Sequence, residues 1–447
     1  GDCWRDAGIT HFSTKKYFSD KEYFENNFPS DLVLEMKEQI RLWFYSMLFM
    51  SVTITGKAPY KQVIAHSSVI QESGEKFSKT GYMIRFDEAA EKMGADAIRY
   101  LYASAPVISD VRFGYSIADE ARRKMLGFWN IYIFFNLYAE IDNPNISGHK
   151  IEWDKLTHSD KWILTRTNEF IKAAKESMDT FKHPALIKEF EIFIDEVSNW
   201  YIRINRKRFW KTLDKDDQLN AYTCLYNAIK SIIGVMAPVM PFLTDYIYQN
   251  TVREIEKNSP ISIHLTDYPS LLDIPEEKEV LEETSVARSI ITTGQRMRNE
   301  AQLKVKQPLK KLYVRVSDEN DKIEKNVAPL RQVILDELNI KELVFVKDSS
   351  VYNDVYFSVN FKVAGRVLKG EAQLLKTLVD CMTVDDYYQL DRQFSRGKIT
   401  VDKFVDLDAE VLERHERPQK GFIVTTEKDY TLELDTTLDE NIVSEGL

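Results

Sequence analysis

A short segment with two lysines and neighbouring hydroxyls is the part of this sequence whose residues are best suited to bind a charged ligand. Residues 76–80 read KFSKT, and glycines lie close by on both sides. The ammonium groups of Lys76 and Lys79 can neutralise a polyphosphate, while the hydroxyl of Ser78 and backbone N–H groups can orient its oxygens. The segment therefore predicts a phosphate-binding loop, and the alternative is an ordinary solvated surface loop.

This lysine loop lies between a predicted strand and a predicted helix. The apolar run at 62–65 has the pattern of a buried strand, and a helical pattern covers 86–102. Upstream, residues 32–34 resemble a second buried strand and residues 42–55 a helix. The alternation of strand and helix predicts an α/β layered domain over residues 1–115.

A run of basic residues follows inside a later helical pattern. Its five cations occur without a single intervening acid, and two tryptophans lie beside them. These residues are Arg203, Arg206, Lys207, Arg208 and Lys211, with Trp200 and Trp210 as neighbours. At helical spacing Arg203, Lys207 and Lys211 share one face, which predicts a stripe that contacts RNA phosphates and bases. The alternative is a solvated helix face. A second, weaker basic cluster comprises Arg296, Arg298, Lys304 and Lys306.

The rest of the chain separates into a helical part and a mixed part. Helical patterns cover 118–140, 158–182, 184–211 and 217–252, and prolines are expected to split the last of them. An extended segment is predicted at 262–265, strands at 311–316, 343–346 and 430–435, and a helix at 330–338. We therefore predict three domains, which are α/β over 1–115, helical over 116–270 and mixed α/β over 271–447.

Composition restricts the possible partners. The 447 residues are enough for about three domains, and the net charge of -10 means that RNA must be bound through local basic patches. No apolar stretch approaches the ~18 residues of a membrane span, and no secretion signal is visible, so we expect no membrane contact. Cys3, Cys224 and Cys381 are scattered, which favours a reducing, cytoplasmic compartment and argues against a cysteine zinc site in this segment.

Several segments, read in order, resemble the isoleucyl-tRNA synthetase family of class I aminoacyl-tRNA synthetases. The lysine loop is similar to the KMSKS loop of that family. The other matching segments are DCWRDAG at 2–8, EMKEQIRLWF at 35–44, SNWYIRINRKRFW at 198–210, APVMPFL at 237–243, HLTDYP at 264–269, KVKQPL at 304–309 and LDTTL at 434–438. The resemblance implies the second half of a Rossmann-like catalytic domain, then a helical-bundle anticodon-binding domain, then a C-terminal mixed α/β domain.

The resemblance also implies roles for individual residues. Lys76, Ser78 and Lys79 would act on the phosphates of ATP, which would bring Mg²⁺ with it. The ammonium group and ribose of the adenylate would be held by Glu35, Glu38 and Gln39, and His66 would line the adenine site. A solvated acidic helix start and a structural histidine are the alternatives.

Two tryptophans and the basic run complete the implied sites. Trp4 and Trp43 would flank the isoleucine side chain, for which an apolar slot is chemically suited; the alternative is two core tryptophans. The tRNA would contact Arg203, Arg206, Lys207, Arg208 and Lys211.

The implied reaction is ATP-dependent activation of isoleucine to isoleucyl-adenylate, followed by transfer to tRNA(Ile). We expect a monomeric protein of which this chain is a C-terminal fragment, without the first catalytic half and the editing domain, and we expect the fragment alone to be inactive. One alternative is a non-catalytic tRNA-binding module, because Met36, Ser67 and Phe77 depart from the family pattern and no HxGH segment occurs. Another is a valyl- or leucyl-tRNA synthetase.

Overall fold

The structure, a computed structural model, describes residues 3–78, 80–210, 213–316, 321–347 and 353–445. The chain divides into two compact units, Gly1–Glu276 and Glu277–Leu447. Among the described helices, none is both long enough and apolar enough to cross a membrane.

The first unit opens with short helices and two small parallel sheets. Its elements are α1 (Cys3–Gly8), α2 (Thr10–Thr14), α3 (Lys21–Asn27), β1 (Ser30–Met36), α4 (Trp43–Thr55), β2 (Tyr60–His66), β3 (Val69–Gln71), α5 (Phe86–Met93), α6 (Ala95–Ser104) and β4 (Val111–Phe113). Strand β1 pairs in parallel with β2, and β3 with β4. Val33 of β1 packs with Phe44 and Met47 of α4 in one buried cluster. The predicted strands at 32–34 and 62–65 and the helix at 42–55 are confirmed.

The single helix predicted over 86–102 is wrong, because the chain forms two helices there. Gly94 lies between α5 and α6 with φ +84° and ψ 143°, a conformation that glycine adopts at little cost because it has no Cβ. Its N–H donates to the carbonyl of Ala90 and closes the last turn of α5.

A helical bundle completes the first unit. Its helices are α7 (Tyr115–Asp142), α8 (His158–Asp179), α9 (His183–Glu196), α10 (Arg203–Trp210), α11 (Lys215–Met236), α12 (Pro241–Asn250) and α13 (Val252–Ile255). A π turn at Val197–Ile202 joins α9 to α10. The predicted 217–252 helix is split as expected, with α12 beginning at Pro241 because proline suits a position that needs no N–H donor. The extended segment predicted at 262–265 is wrong, since Ile263–Leu265 forms a 3-10 turn.

Helix α6 is bound to the start of α12 by charged side chains. The buried carboxylate of Asp96 accepts hydrogen bonds from the N–H groups of Phe242 and, at 2.7 Å, Leu243. A carboxylate at this position also compensates the positive end of the α12 dipole. Arg99 donates to the carbonyls of Pro238 and Val239. The division of this unit near residue 115 stays a prediction.

The second unit contains one mixed sheet and an α/β insertion. Its elements are α14 (Glu279–Glu300), β5 (Leu309–Arg315), α15 (Asp321–Val327), α16 (Arg331–Leu338), β6 (Ile340–Val346), β7 (Asn353–Val359), α17 (Phe361–Leu368), α18 (Ala372–Asp380), α19 (Val384–Phe394), β8 (Lys398–Val401), β9 (Phe404–Asp408), β10 (Leu412–Pro418), β11 (Phe422–Thr426), β12 (Thr431–Asp435) and α20 (Glu440–Glu445). The sheet has the order β11-β12-β5-β6, with β5 and β6 parallel. Strand β7 pairs antiparallel with β10. The mixed α/β pattern predicted here is confirmed.

Candidate functional site

The carboxyl ends of β1 and β2 form the edge at which predicted adenylate-binding residues meet. In the parallel register Met36 lies opposite His66, and Glu35 lies opposite Ala65. Ligands of open α/β sheets bind outside the carboxyl ends of the strands. Strand pairing therefore brings Glu35 and His66 to the edge where a nucleotide would be expected.

The acidic segment after β1 is folded back on the local backbone. A carboxylate oxygen of Glu35 accepts from the N–H of Met36 at 2.8 Å. The side-chain oxygen of Gln39 accepts from the N–H of Trp43 at 3.1 Å, in the first turn of α4. Glu38 is exposed on the intervening 3-10 turn. Two of the three predicted adenylate ligands thus bind backbone N–H groups of their own segment, and Glu38 is the one exposed residue of the three.

A charged cluster at the same edge escaped the sequence reasoning. Ser67 is buried; its hydroxyl accepts from Lys37 Nζ at 3.0 Å and donates to the Asp110 carboxylate. The N–H of Ser68 also donates to Asp110, at 3.1 Å. His66 Nδ1 donates to the carbonyl of Ser67 at 2.8 Å, so in the neutral imidazole Nε2 is an acceptor. No short-range pattern could have revealed this cluster, because Ser67 and Asp110 are 43 residues apart.

Asp110 is held in its ionised form by this arrangement. The hydrogen bond from Ser67 is the largest cause that lowers the pKa of Asp110, followed by the bond from Ser68. The positive charges of Lys37 and Lys76 lower the pKa further. Asp110 therefore couples the edge of the sheet electrostatically to the first lysine of the lysine loop.

The first half of the lysine loop is fixed to β3. Ile70 forms an antiparallel bridge with Lys76, and the side-chain amide of Gln71 donates to the Lys76 carbonyl at 2.9 Å. A turn reverses the chain between them, with Gly74 at φ +93°. The Lys76 backbone is therefore held in place by these hydrogen bonds, and Lys76 is an exposed residue.

The second half of the loop is a tight polar turn on an aromatic support. Ser78 Oγ accepts from the N–H of Thr80 at 3.3 Å, and the carbonyl of Ser78 accepts from the N–H of Gly81. The Phe77 ring stacks on Tyr82 with centroids 6.2 Å apart and packs against a buried cluster. Lys79, the predicted phosphate ligand, lies outside the described residues.

The two predicted pocket tryptophans lie on helices that pack together. Trp43 is half-buried at the start of α4, and its indole N–H donates to the carbonyl of Ala7 at 3.1 Å. Trp4 on α1 is 41% exposed. Gly8 permits the close approach, because a Cβ there would lie 3.1 Å from the Ser46 carbonyl carbon. The roles of both tryptophans in isoleucine binding stay predictions.

The predicted tRNA-binding run divides according to its exposure. Arg203, Arg206 and Lys207 are exposed on α10, and Trp210 is 54% exposed. At spacings of three and four residues they lie on one helix face. Trp200, by contrast, is buried, so the prediction that it offers a stacking surface is wrong. Lys211 lies outside the described residues.

Arg208 differs from its basic neighbours because it is bound to acidic residues. Its guanidinium donates to both carboxylate oxygens of Asp160, at 2.9 and 2.7 Å, and to Asp217 at 2.6 Å. Asp160 is fully buried and also accepts from the hydroxyl of Tyr201 at 2.7 Å. The side chain of Arg208 is only 13% exposed. The expectation that Arg208 contacts tRNA phosphate is therefore corrected, since its donors already bind carboxylates inside the bundle.

Glu35, His66 and Asp110 are potential metal ligands at this edge, but they do not form a metal-binding cluster in the described structure. Across the part of the chain that the structure describes, no three His, Cys, Asp or Glu side chains converge as a metal site would require. Mg²⁺ commonly binds through substrate phosphates with few protein ligands.

Comparison with known proteins gives a consistent family assignment. Residues 1–114 match the family described as tRNA synthetases class I (I, L, M and V), and residues 160–313 match the anticodon-binding domain of tRNA ligase. Isoleucine–tRNA ligase of Clostridium tetani is 32% identical over 457 aligned residues, which cover 100% of this chain and 43% of the relative. Isoleucine–tRNA ligase of Pyrococcus furiosus is 32% identical over 84% of this chain and 35% of its own length.

Among solved structures, the LeuRS of Agrobacterium radiobacter K84 in a LeuRS-tRNA-LeuAMS complex aligns with a TM-score of 0.48 and 13% identity. That alignment covers 60% of this chain and 33% of the LeuRS chain. The chain spans 43% of the length of the Clostridium tetani relative that it matches. With two family matches in order and similarity to isoleucine–tRNA ligases along all of its residues, the chain belongs to the class I tRNA synthetases.

Proposed function

We propose that this chain provides part of the ATP site and the tRNA-binding bundle of an isoleucine–tRNA ligase. The observation that carries the proposal is similarity to isoleucine–tRNA ligases over 100% of the chain, combined with the placement of Glu35 and His66 at the carboxyl ends of β1 and β2. In the first step, a carboxylate oxygen of isoleucine attacks the α-phosphorus of ATP, and pyrophosphate leaves. In the second, a hydroxyl of the terminal adenosine of tRNA(Ile) attacks the acyl carbon, and AMP leaves.

The lysine loop is proposed to stabilise charge that grows on the phosphates during the first step. Lys76 and Lys79 would place ammonium groups against the α-phosphate and the leaving pyrophosphate, and Ser78 would orient an oxygen. Mg²⁺ bound to ATP would neutralise part of the same charge. The positive charge of Lys76 contributes to lowering the pKa of Asp110, so this carboxylate and the ATP phosphates would both attract the Lys76 ammonium group.

The remaining predicted residues are proposed to recognise the amino acid and the nucleotide. Trp4 and Trp43 would form the apolar slot, and Glu38 would bind a cation or a ribose hydroxyl. Glu35 and Gln39 would first have to release the backbone N–H groups of Met36 and Trp43. His66 would offer Nε2 as an acceptor near the adenine.

Transfer RNA is proposed to bind the exposed face of α10 through Arg203, Arg206, Lys207 and Trp210, with Lys211 continuing the stripe. We also propose that the protein is monomeric and is located in the cytoplasm. The decisive test is ATP–pyrophosphate exchange by the protein that the complete reading frame encodes, compared across isoleucine, valine and leucine. Exchange that depends on isoleucine supports the proposal. Exchange that prefers valine or leucine would show that the protein is instead a valyl- or leucyl-tRNA synthetase.

A non-catalytic tRNA-binding module is the second candidate function. The observation in its favour is that Glu35 and Gln39 already satisfy backbone donors, and that Met36 adds a side chain at the sheet edge where the related family has glycine. Such a module would bind tRNA but support no exchange with any amino acid. The same exchange assay, paired with a tRNA-binding assay, therefore separates the two functions.

A further inference from the structure

A short exposed loop between α14 and β5, at residues 303–308, carries two lysines around one apolar residue. Lys304, Val305 and Lys306 are all exposed, and 46% of the Val305 surface is accessible. Neither lysine forms an ion pair with a carboxylate anywhere in the described ranges, whereas Lys310 and Lys311, which follow on β5, are paired with Asp439 and Glu342.

A buried arginine binds the backbone of this loop. Arg298 is 1% exposed, and its guanidinium donates to the carbonyls of Lys304 at 2.8 Å, Leu338 at 3.0 Å and Gln307. Among the described side chains no carboxylate forms an ion pair with it. Burial lowers the pKa of Arg298, but a guanidinium begins so far above neutrality that it keeps its charge. Arg298 belongs to the second basic cluster identified in the sequence; in the structure it is buried, and its guanidinium holds the backbone of the loop.

Asn339 fixes the middle of the same loop. Its side-chain amide donates to the carbonyls of Val305 at 2.9 Å and Lys306 at 3.1 Å. Asn339 adopts φ +47° after the last residue of α16, a conformation that asparagine tolerates better than most residues. Four consecutive carbonyls, from 304 to 307, are thus bound by two side chains of the unit. The loop is held in one conformation, with its two lysines in solvent.

We propose that loop 303–308 is a contact site for the phosphate backbone of RNA, an inference that rests on the proposed function in tRNA aminoacylation. Two ammonium groups without ion pairs among the described residues, on a backbone that is already fixed next to a buried guanidinium, suit closely spaced phosphates. Because the loop backbone is already ordered, binding costs little further backbone freedom. Val305 would contact a ribose or a base face. The segment that matches the anticodon-binding domain ends at residue 313, so it includes this loop.

The test compares tRNA binding by Lys304→Ala/Lys306→Ala with binding by Lys362→Ala/Lys420→Ala. The control removes two other exposed lysines of the same unit, so the change in net charge is equal. A tRNA(Ile) transcript would be titrated at salt concentrations between about 50 and about 200 mM. The loop variant is expected to bind on the order of tenfold more weakly and to flatten the log–log salt slope by about 1.4 to 1.8, as the loss of two phosphate contacts requires.

The inference would be overturned if the loop variant bound tRNA with the same affinity and salt slope as the unaltered chain. It would also be overturned if the control variant lost as much affinity as the loop variant. Failure of the unaltered chain to bind tRNA would overturn the proposed tRNA function together with the inference. Polyglutamate serves as the acidic-polypeptide probe, and displacement of tRNA by polyglutamate at equal charge concentration would also count against an RNA site.

A second variant tests whether Asn339 positions the loop. Asn339→Gly keeps the left-handed backbone conformation but removes the amide that binds Val305 and Lys306. Trypsin is expected to cleave after Lys304 and Lys306 several-fold faster in this variant, while the circular dichroism spectrum stays unchanged. Cleavage of the unaltered loop at the same rate would show that the loop is not fixed in advance.

Discussion

Arg208 and Asp160 form a bidentate ion pair inside the helical bundle, with both guanidinium-to-carboxylate distances below 3 Å. Asp160 belongs to the capping box at the start of α8, where Thr157 is the N-cap residue, so the pair connects the start of α8 to α10. Asp217 of α11 binds the other side of the guanidinium. Three helices are therefore joined through one arginine next to the proposed tRNA-binding face.

The first prediction concerns the stability contributed by this pair. Arg208→Ala should lower the free energy of unfolding by about 3 to 5 kcal/mol, because it leaves a fully buried carboxylate without its partner. Urea denaturation followed by circular dichroism provides the measurement. Arg206→Ala, at an exposed position on the same helix, is the matched control and should change stability by less than about 0.5 kcal/mol. Equal unfolding midpoints for the two variants would contradict the structural role of Arg208.

The second prediction concerns tRNA binding by the exposed face of α10. Arg206→Glu/Lys207→Glu should weaken binding of tRNA and flatten its dependence on salt, since fewer counterions are released. Filter binding at several salt concentrations measures both effects. Lys230→Glu/Lys257→Glu, which changes two lysines that are already paired with glutamates in the same unit, is the charge-matched control. If both variants lose the same affinity, the face has no specific role.

The third prediction concerns the lysine loop in catalysis. In the protein encoded by the complete reading frame, Lys79→Ala should reduce kcat for ATP–pyrophosphate exchange by about 100- to 1,000-fold, with a smaller change in KM for isoleucine. The physical reason is that the charge on the phosphates grows in the transition state. Lys57→Ala, at an exposed lysine on another loop, controls for net charge. Unchanged exchange would remove Lys79 from the mechanism.

The fourth prediction uses the ionisation of Asp110. Its pKa is lower in the folded protein than in the unfolded chain, so its charge stabilises the fold above the unfolded value, about pH 4, and this contribution is lost as pH falls towards the folded value. The melting temperature of Asp110→Asn should therefore lie below that of the unaltered chain near neutral pH. The two values should converge below about pH 4. If the difference in melting temperature between the two proteins does not vary with pH, the charge of the Asp110 carboxylate does not contribute to stability.

The secondary-structure elements that were predicted correctly follow mainly from residue patterns over a few neighbouring positions. The strand at 62–65, the helix at 42–55 and the split of the 217–252 segment by its prolines follow from side-chain period and from the missing N–H of proline, which act within a few residues. The helix over 86–102 failed at Gly94, because sequence pattern alone does not reveal when a glycine takes a positive φ. Motif order was sufficient to assign the class I synthetase family.

The sequence by itself determined which residue types could do chemistry, namely the lysine loop, the acidic segment at 35–39 and the basic run at 203–211. Only the tertiary structure decided which of them have free charges. Arg206 and Arg208 are chemically alike and two positions apart, yet one is exposed and the other is bound to Asp160, which lies 48 residues away. The same holds for Asp110, which accepts a hydrogen bond from Ser67, 43 residues away. Charge and hydrogen-bonding capacity belong to a residue type, whereas desolvation and partners depend on which parts of the chain pack together.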